Sequence, residues 1–367
     1  MLWDVFCRVI DNFGDIGVCW RLSHDLAERG HAVRLWVDDA SALAWMAPAA
    51  LRSPSVQVLH WDAEVLEPGD IVVEAFGCNP PDAFVARMQR PAPPVWINLE
   101  YLSAEQWVER CHGLPSPVMS GPGAGLSKWF FYPGFTRATG GLLREADLMS
   151  ARQVWEATPH QHRDQWLATL GISVRPPTAR CLALFCYEQA PVGALLDALA
   201  AGGYPTQVLL TPGFATQLAR QWQAAAAPTS HLSLHELPPL SQREFDRLLW
   251  ACDLNFVRGE DSAVRALWAG QPHLWHIYPQ EDGVHAGKLE AFMDRWMADW
   301  PDDLASDVRG LWLSWNGLTP ASARGFESLN GLLDDPRWAA GSHASRQRLL
   351  EIGDLVTQLC GFVLDRR

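Results

Sequence analysis

A short polar turn between an apolar strand and a helix has the residue types needed to bind a diphosphate. The turn is Arg258-Gly259-Glu260-Asp261-Ser262, after an apolar strand from Asp253 to Val257 and before a helix closed by Gly270. Amide groups of a first helical turn have no partner within the helix, so with an arginine and a serine hydroxyl they suit phosphate oxygens. The pattern favours a nucleotide-sugar donor.

A second turn, near the N-terminus, has the opposite chemistry. In Asp11-Asn12-Phe13-Gly14-Asp15-Ile16-Gly17, two carboxylates stand where a dinucleotide-binding G-x-G-x-x-G turn would leave bare backbone. Such a turn repels a diphosphate and attracts a cation. A purely structural alternative is that Asp11 ends a strand and Asp15 caps the following helix, and Asp261 or Ser262 has the same N-cap alternative in its own turn.

The elements that must position the N-terminal turn alternate between strand and helix. Periodicity and glycine stops predict a strand over Trp3–Ile10 and a helix over Ile16–Arg29. The alternation continues with segments 32–37, 40–46, 56–59, 71–74, 82–90 and 94–98. This rhythm predicts a parallel sheet covered by helices on both faces. The Gly-, Pro- and aromatic-rich segment from His112 to Thr139 is interpreted as long surface loops of a cleft wall.

The second half of the chain repeats this alternation. A helix over Ala151–Leu170 and a linker at residues 173–177 precede it. Strands are predicted at 181–186, 207–210 and 232–234, and helices at 192–201, 215–225 and 242–251. We therefore expect an α/β protein with two Rossmann-like domains, 1–172 and 173–344, that face a cleft holding the active site. The final helix, within residues 345–367, is expected to cross back to the first domain.

Composition restricts the partners and the compartment. A formal charge of −13 and a pI near 5.3 argue against a nucleic acid partner. The eight cysteines contain no C-x-x-C pair and several lie in apolar runs, which fits a reducing cytosol. Without a leader or an 18-residue apolar run, we expect a soluble cytoplasmic protein that does not bind a membrane. No metal is expected, because the second domain lacks an Asp-x-Asp motif and the spacing of His273, His276 and His285 fits packing or solvation.

Four stretches of the chain together resemble the bacterial protein-arginine rhamnosyltransferases that modify translation elongation factor P. They are Val9-Ile10-Asp11-Asn12-Phe13-Gly14-Asp15-Ile16-Gly17, Asn98-Leu99-Glu100-Tyr101-Leu102-Ser103, Phe131-Tyr132-Pro133-Gly134-Phe135-Thr136 and Arg258-Gly259-Glu260-Asp261-Ser262. The resemblance implies a GT-B fold, dTDP-β-L-rhamnose as donor, inversion at the anomeric carbon, and no metal or other cofactor. It also implies that the acceptor is an arginine in the folded N-terminal domain of elongation factor P.

The resemblance also implies roles for individual residues. Asp11 and Asp15 resemble the acceptor-side carboxylates, with Asp15 as the general base, and Glu260 is a third catalytic candidate. The residues that resemble the family's donor site are Arg258, Glu260, Asp261, Ser262, Tyr278, the thymine-binding pair Gln242 and Phe245, and, as a weaker match, Tyr187. A bulky side chain is expected after Ser262, where this chain has Ala263.

An arginine acceptor suits the N-terminal turn chemically. A guanidinium is a poor nucleophile with a pKa above about 12, so its proton must leave during or after attack. Two carboxylates can hold its planar fork, and one can take the proton as the C–N bond forms. Two other functions remain open: a GT-B transferase with a small-molecule or lipid acceptor, and a non-catalytic nucleotide-binding regulator of translation.

Overall fold

The chain divides into two compact units, each built around its own parallel sheet. The computed structural model describes residues 1–10, 13–48, 54–64, 67–173, 178–227, 229–280, 283–319 and 325–367. The first unit comprises Met1–Ala146 with Leu349–Arg367, and the second comprises Asp147–Arg348. Asp11, a predicted acceptor-side carboxylate, lies outside the described residues.

The first unit contains a seven-stranded sheet with the order β3-β2-β1-β4-β5-β7-β6. Neighbouring strands are parallel except for the antiparallel pair of β6 and β7. The strands are β1 Leu2–Cys7, β2 Ala32–Val37, β3 Val56–His60, β4 Ile71–Ala75, β5 Val95–Leu99, β6 Pro115–Pro117 and β7 Ser127–Phe131. The central strands β4 and β5 are buried along their whole length, as expected for a parallel sheet covered on both faces.

Five helices assigned to the first unit are α1 Gly14–Glu28, α2 Leu43–Met46, α3 Asp82–Met88, α4 Trp107–Cys111 and α15 Leu355–Leu364. The last of these belongs to the C-terminal segment and packs into the same core as strand β1. Its buried side chains are Leu355, Val356, Leu359 and Val363. Arg29, which follows α1, contacts this segment by donating a hydrogen bond to Asp354 at 2.7 Å.

The second unit contains five parallel strands in the order β10-β9-β8-β11-β12. The strands are β8 Arg180–Leu184, β9 Thr206–Leu210, β10 Leu232–Glu236, β11 Leu254–Arg258 and β12 His273–His276. Six of the helices in this unit precede the strands or alternate with them: α5 Leu148–Ala157, α6 Pro159–Thr169, α7 Val192–Gly202, α8 Phe214–Ala225, α9 Gln242–Ala251 and α10 Gly259–Ala269. They are followed by α11 Val284–Trp296, α12 Asp302–Trp315, α13 Leu329–Asp334 and α14 Pro336–Leu350.

The division between the units lies earlier in the chain than the predicted boundary after residue 172. Helices α5 and α6 fall in the second unit because Trp155, Trp166 and Leu167 pack in one core cluster with Leu248 of α9. The chain returns to the first unit at Leu349, four residues after the predicted position at 345.

Three predicted elements differ from the structure in a way that has a local cause. The helix predicted over 151–170 is two helices, separated at Thr158 because Pro159 begins a new helix. The final predicted helix is broken between Leu350 and Leu355, where the Asp354 carboxylate caps α15 by accepting from the Thr357 N–H. The prediction of long loops over 112–139 is wrong at β6 and β7, because β7 extends the parallel sheet beside β5.

In each sheet the direction of strand progression reverses beside the first strand of that sheet. The chain runs from β1 through β2 to β3 on one side and places β4 on the other side of β1. The second sheet reverses in the same way between β8 and β11. Ligands of open parallel sheets bind beyond the carboxyl ends of the strands at such switch points. The turns after β1 and β11, which the sequence singled out, both lie there.

Candidate active site

The turn after β11 combines an extended arginine with a glycine in the left-handed region. Arg258 ends the strand and occupies the N-cap position of α10, so neither Asp261 nor Ser262 is the N-cap. Gly259 follows with a φ of 64°, a conformation that disfavours other residues. The Ser262 hydroxyl oxygen accepts from the Arg258 N–H at 3.1 Å and donates to the Arg258 carbonyl. The serine side chain is therefore hydrogen-bonded to the backbone at the start of the turn. Glu260 and Asp261 lie in the first helical turn.

The guanidinium of Arg258 packs against two aromatic rings. Its Cζ lies 4.6 Å from the ring centroid of Phe185 and 4.6 Å from that of Tyr187. Only 7% of Arg258 is exposed to solvent. These contacts restrict the orientation of the guanidinium, whose N–H groups lie in its own plane and can bind an anion there.

Further aromatic rings extend this stack across the carboxyl ends of the strands. Tyr187 packs edge-on against Tyr278 at 5.5 Å, and Phe185 packs edge-on against Phe245 at 5.8 Å. Tyr278 is 49% exposed. The structure thus brings together Arg258, Tyr187, Tyr278 and Phe245 of the predicted donor residues, with Phe185 as the ring that joins them.

A buried histidine supports this cluster from β12. The Tyr187 N–H donates to His276 Nδ1 at 3.3 Å, and the two rings pack at 5.2 Å. Burial, aided by the charges of Arg258 and His285, lowers the pKa of His276 to about 4. The imidazole is therefore neutral at pH 7, with Nδ1 as its hydrogen-bond acceptor. The sequence pattern does not single out Phe185, and it predicts packing or solvation for His276; the structure shows packing and adds the hydrogen bond to Tyr187.

Helix α9 brings the remaining predicted donor residues to the start of α10. The helix begins at Gln242, after Ser241, whose hydroxyl accepts from the Glu244 N–H. The buried Gln242 side chain donates from Nε2 to Asp261 Oδ2 at 3.4 Å. Phe245, one turn further along, contacts Phe185. All eight predicted donor-site residues therefore lie in or beside one cluster at the switch point of the second unit.

The turn after β1 places Asp15 at the switch point of the first unit. Asp15 is the second residue of α1, whose N-cap position belongs to Phe13, so the N-cap alternative is wrong. Its Oδ2 accepts from the Ile10 N–H at 2.8 Å, and the residue is 4% exposed. The carboxylate therefore bridges the turn that connects strand and helix.

The neighbouring turn after β4 is conformationally strained. Phe76 and Asn79 have φ values of 57° and 48°, and Gly77 between them has a φ of 66°. The Phe76 N–H donates to the Leu99 carbonyl at 2.7 Å, and its ring stacks on Tyr101 at 4.5 Å. Non-glycine residues in this region carry a conformational cost and cluster at functional sites. The stack is a second candidate feature on the acceptor side that the sequence did not reveal.

The described ranges contain neither a candidate metal site nor a candidate membrane-spanning helix. Among those residues, no group of three or more His, Cys, Asp or Glu side chains is arranged to hold a metal ion. No described helix is both long and apolar enough to cross a bilayer.

Two Rossmann-like sheets, each with polar chemistry at its switch point, define a GT-B glycosyltransferase. The glycosyltransferase VinC, solved in complex with dTDP, has the same fold, with a TM-score of 0.52 over all of both chains at 12% identity. The predicted α/β class and GT-B fold are confirmed.

Sequence comparison identifies the family within this class. A family model described as "Elongation-Factor P (EF-P) rhamnosyltransferase EarP" matches residues 3–364. A protein-arginine rhamnosyltransferase of Pseudomonas putida is 47% identical over 331 residues, which cover 86% of each chain. A chain solved for the structural basis of EarP-mediated arginine glycosylation of translation elongation factor EF-P is 32% identical, with a TM-score of 0.70 over 99% of both chains. The chain belongs to the EarP family and is a protein-arginine rhamnosyltransferase, which confirms the resemblance found in the sequence.

Proposed function

We propose that this enzyme transfers L-rhamnose from dTDP-β-L-rhamnose to an arginine side chain of elongation factor P, with inversion and without a metal. The observation that carries the donor assignment is the Arg258 guanidinium packed against Phe185 and Tyr187, at the start of a helix at a switch point. This arrangement suits a nucleoside diphosphate, because an oriented guanidinium and helix-start amides both attract phosphate oxygens. The acceptor assignment is supported by the family description and by the solved relative, whose structure concerns arginine glycosylation of elongation factor EF-P.

The donor would lie across the two helices that meet at this switch point. Phe245 and Gln242 of α9 would bind thymine, by ring contact and by amide hydrogen bonds. Arg258 and the first amides of α10 would bind the diphosphate and stabilise the negative charge that develops as it leaves. Tyr278, half exposed at the edge of the cluster, would close over the donor. Glu260 would contact sugar hydroxyls or orient the acceptor arginine.

The acceptor arginine would be held by Asp11 and Asp15. One guanidino nitrogen attacks the anomeric carbon on the face opposite the diphosphate, so the new C–N bond forms as the C–O bond to the diphosphate breaks. The nitrogen proton passes to Asp15 during or after attack, because an ordinary aspartate cannot deprotonate a free guanidinium beforehand. The configuration at the anomeric carbon is inverted.

The acceptor should be recognised as a folded domain. The Phe76–Tyr101 stack and exposed aromatic side chains such as Trp107, 42% exposed, provide contact surface beyond a single arginine. A free peptide around the target arginine would then be a poor substrate, because remote contacts supply part of the energy for orientation. Equal turnover of the peptide and the intact factor would contradict this.

Intact mass spectrometry tests the proposal directly. The purified protein is incubated with dTDP-rhamnose and elongation factor P, and the factor should gain the mass of one deoxyhexose. UDP-glucose in place of dTDP-rhamnose is the donor control, and fragmentation of the product should locate the sugar on an arginine. No mass gain, or a sugar on another residue type, would overturn the assignment of donor or acceptor. We also propose a cytoplasmic location, which the eight free cysteines support.

A further inference from the structure

Helices α9 and α10 are joined by two contacts on successive helical turns. Near their starts, Gln242 donates to Asp261 at 3.4 Å. Four residues further along each helix, Arg265 binds Asp246 through two parallel hydrogen bonds, Nε to Oδ1 at 2.7 Å and a terminal nitrogen to Oδ2 at 2.8 Å. Residues four apart lie on the same face of a helix, so the two contacts form consecutive rungs between the two helices.

The second rung is a buried ion pair. Arg265 is 2% exposed and Asp246 is 5% exposed. A buried pair of this kind adds little net stability, since the cost of removing two charges from water offsets their attraction. Its bidentate geometry, in contrast, admits one relative placement of the two side chains, so such pairs can define a register.

Helix α10 is also anchored at its far end, within the second unit. Arg152 donates from Nε to the Ala269 carbonyl at 3.1 Å, and Arg346 donates to the same carbonyl at 3.3 Å. Both guanidinium groups are buried. With its C-terminal end fixed, α10 provides a stationary reference, and the Asp246–Arg265 pair sets where α9 lies along it.

We propose that Asp246 and Arg265 are positioning residues that fix the register of α9 against α10. This rests on the proposed donor site, in which α9 supplies the base-binding Gln242 and Phe245 while α10 begins at the diphosphate-binding Arg258. The pair contacts neither part of the donor. It sets the spacing between two half-sites, which are the base-binding residues of α9 and the diphosphate-binding start of α10. A slip of one helical turn would displace Phe245 by about 5.4 Å. Specificity for a thymidine diphosphate therefore depends on an ion pair one turn away from the base.

A paired apolar replacement separates register from stability. In Asp246→Leu/Arg265→Met, the ion pair is exchanged for residues of similar volume, so the full-length chain should stay folded. The probes are dTDP, which spans both half-sites, and inorganic pyrophosphate, which needs only α10. We expect the Kd for dTDP to rise about tenfold while the Kd for pyrophosphate, measured by competition, does not change.

The chain offers a matched control in the first unit. Arg34 binds Asp4 through two hydrogen bonds of 2.6 Å, and both residues are buried. Asp4→Glu and Asp246→Glu each add one methylene to a buried bidentate pair. Both should lower the melting temperature, but only Asp246→Glu should weaken dTDP binding. This conservative comparison also covers the case in which the paired replacement does not fold.

The possible results distinguish the two proposals. A lower melting temperature with unchanged affinities for both dTDP and pyrophosphate would overturn the positioning role and leave the donor site intact. Equal loss of both affinities would also overturn it, because the defect would then lie in α10 itself. Failure of the unmodified protein to bind dTDP would instead overturn the proposed function.

Discussion

The two switch points have the same topology and opposite chemistry. In the second unit, the turn after β11 presents an arginine packed against two rings and begins its helix with a positive-φ glycine. In the first unit, the corresponding turn after β1 carries the buried Asp15, which accepts from the Ile10 N–H. The parallel sheet provides the location in both cases, and the side chains of the turn decide whether it suits an anion or a cation.

The two regions also differ in where backbone strain occurs. Among the described residues, non-glycine positive φ values occur at Phe76 and Asn79, both in the turn after β4 at the acceptor-side switch point. The donor-side turn uses Gly259 for the same conformation. Glycine at the turn after β11 allows close approach of a ligand to the backbone, whereas Phe76 keeps a ring at the strained position in the first unit.

The largest effect is expected at the acceptor-side carboxylate. Asp15→Asn keeps the shape of the side chain but removes the proton acceptor, so kcat should fall by roughly 10²-fold or more. The Kd for dTDP should not change, because Asp15 belongs to the other unit. Intact-mass turnover and calorimetry measure the two quantities.

Asp82→Asn is a matched control for Asp15→Asn. Asp82 also lies in the first turn of a helix of the first unit, and it is exposed. It should leave turnover unchanged. If Asp15→Asn instead weakened dTDP binding and kept kcat at saturating donor, the division of roles between the two turns would be wrong.

A smaller effect is expected from the donor-side arginine. Arg258→Lys retains the charge but loses the planar group that packs against Phe185 and Tyr187, so the Kd for dTDP should rise about tenfold. Arg180→Lys is the control, because Arg180 stacks on Tyr204 at 3.8 Å at the amino end of β8. Calorimetry should detect weaker dTDP binding in the first variant alone; equal binding by both would remove the stack from the donor site.

The stability of the protein should depend on pH through His276, the histidine that contacts Tyr187. The folded pKa of His276, about 4, is below its ordinary value of 6.5, so the unfolded chain binds more protons as the pH falls. The stability contribution is therefore complete above pH 6.5 and is lost as the pH falls toward 4. Between pH 7 and 5.5 the loss should be about 1 kcal/mol for this residue.

Urea unfolding at the two pH values measures this loss. His276→Gln keeps a hydrogen-bond acceptor without an imidazole to titrate, so the pH dependence of its unfolding free energy should be smaller by that amount. An unchanged pH dependence would show that His276 is not a neutral buried base. His273, whose pKa burial also lowers to about 4, begins the same strand at its opposite end. His273→Gln should reduce the pH dependence equally without affecting dTDP binding.

The smallest effect is expected at the strained turn. Phe76→Gly relieves the backbone strain and removes the ring from Tyr101, so the unfolding free energy should change by no more than about 1 kcal/mol. The KM for the acceptor protein should rise a few-fold, with an unchanged Kd for dTDP. Asn79→Gly relieves similar strain without removing a ring and should leave KM unaltered. A similar KM rise in both variants would assign the effect to backbone conformation.

The local chemistry of both turns could be predicted from sequence, while contacts between distant segments could not. Arg258–Ser262 and Asp15 were identified because strand, turn and helix are contiguous there. The part that Phe185 and His276 play in the cluster is not visible in the sequence, because they join Arg258 only through the order of strands in the sheet. Strand β7 was missed because its first four residues are exposed or half-buried near the sheet edge, without the continuous apolar run of β4 or β5.

The boundary between the two units also depends on contacts between distant segments. The helix pattern over 151–170 was recognised, but its assignment depends on Trp155 and Trp166 packing with Leu248, almost a hundred residues further along the chain. No periodicity encodes which core a surface helix joins. The roles of individual residues, including Asp11, Glu260 and the thymine-binding pair, remain predictions for the experiments above.

The return of the C-terminal segment to the first unit affects the order in which the protein can fold during synthesis. The second unit is one continuous stretch, complete once Arg348 has been made. The first unit begins earlier but is completed later, because the side chains of α15 that fill its core, from Leu355 to Val363, are translated after the whole of the second unit. The second unit can therefore fold on the ribosome while the first unit still exposes the apolar surface that α15 will cover. A stalled or truncated chain would leave that surface open and become a target for chaperones and proteases.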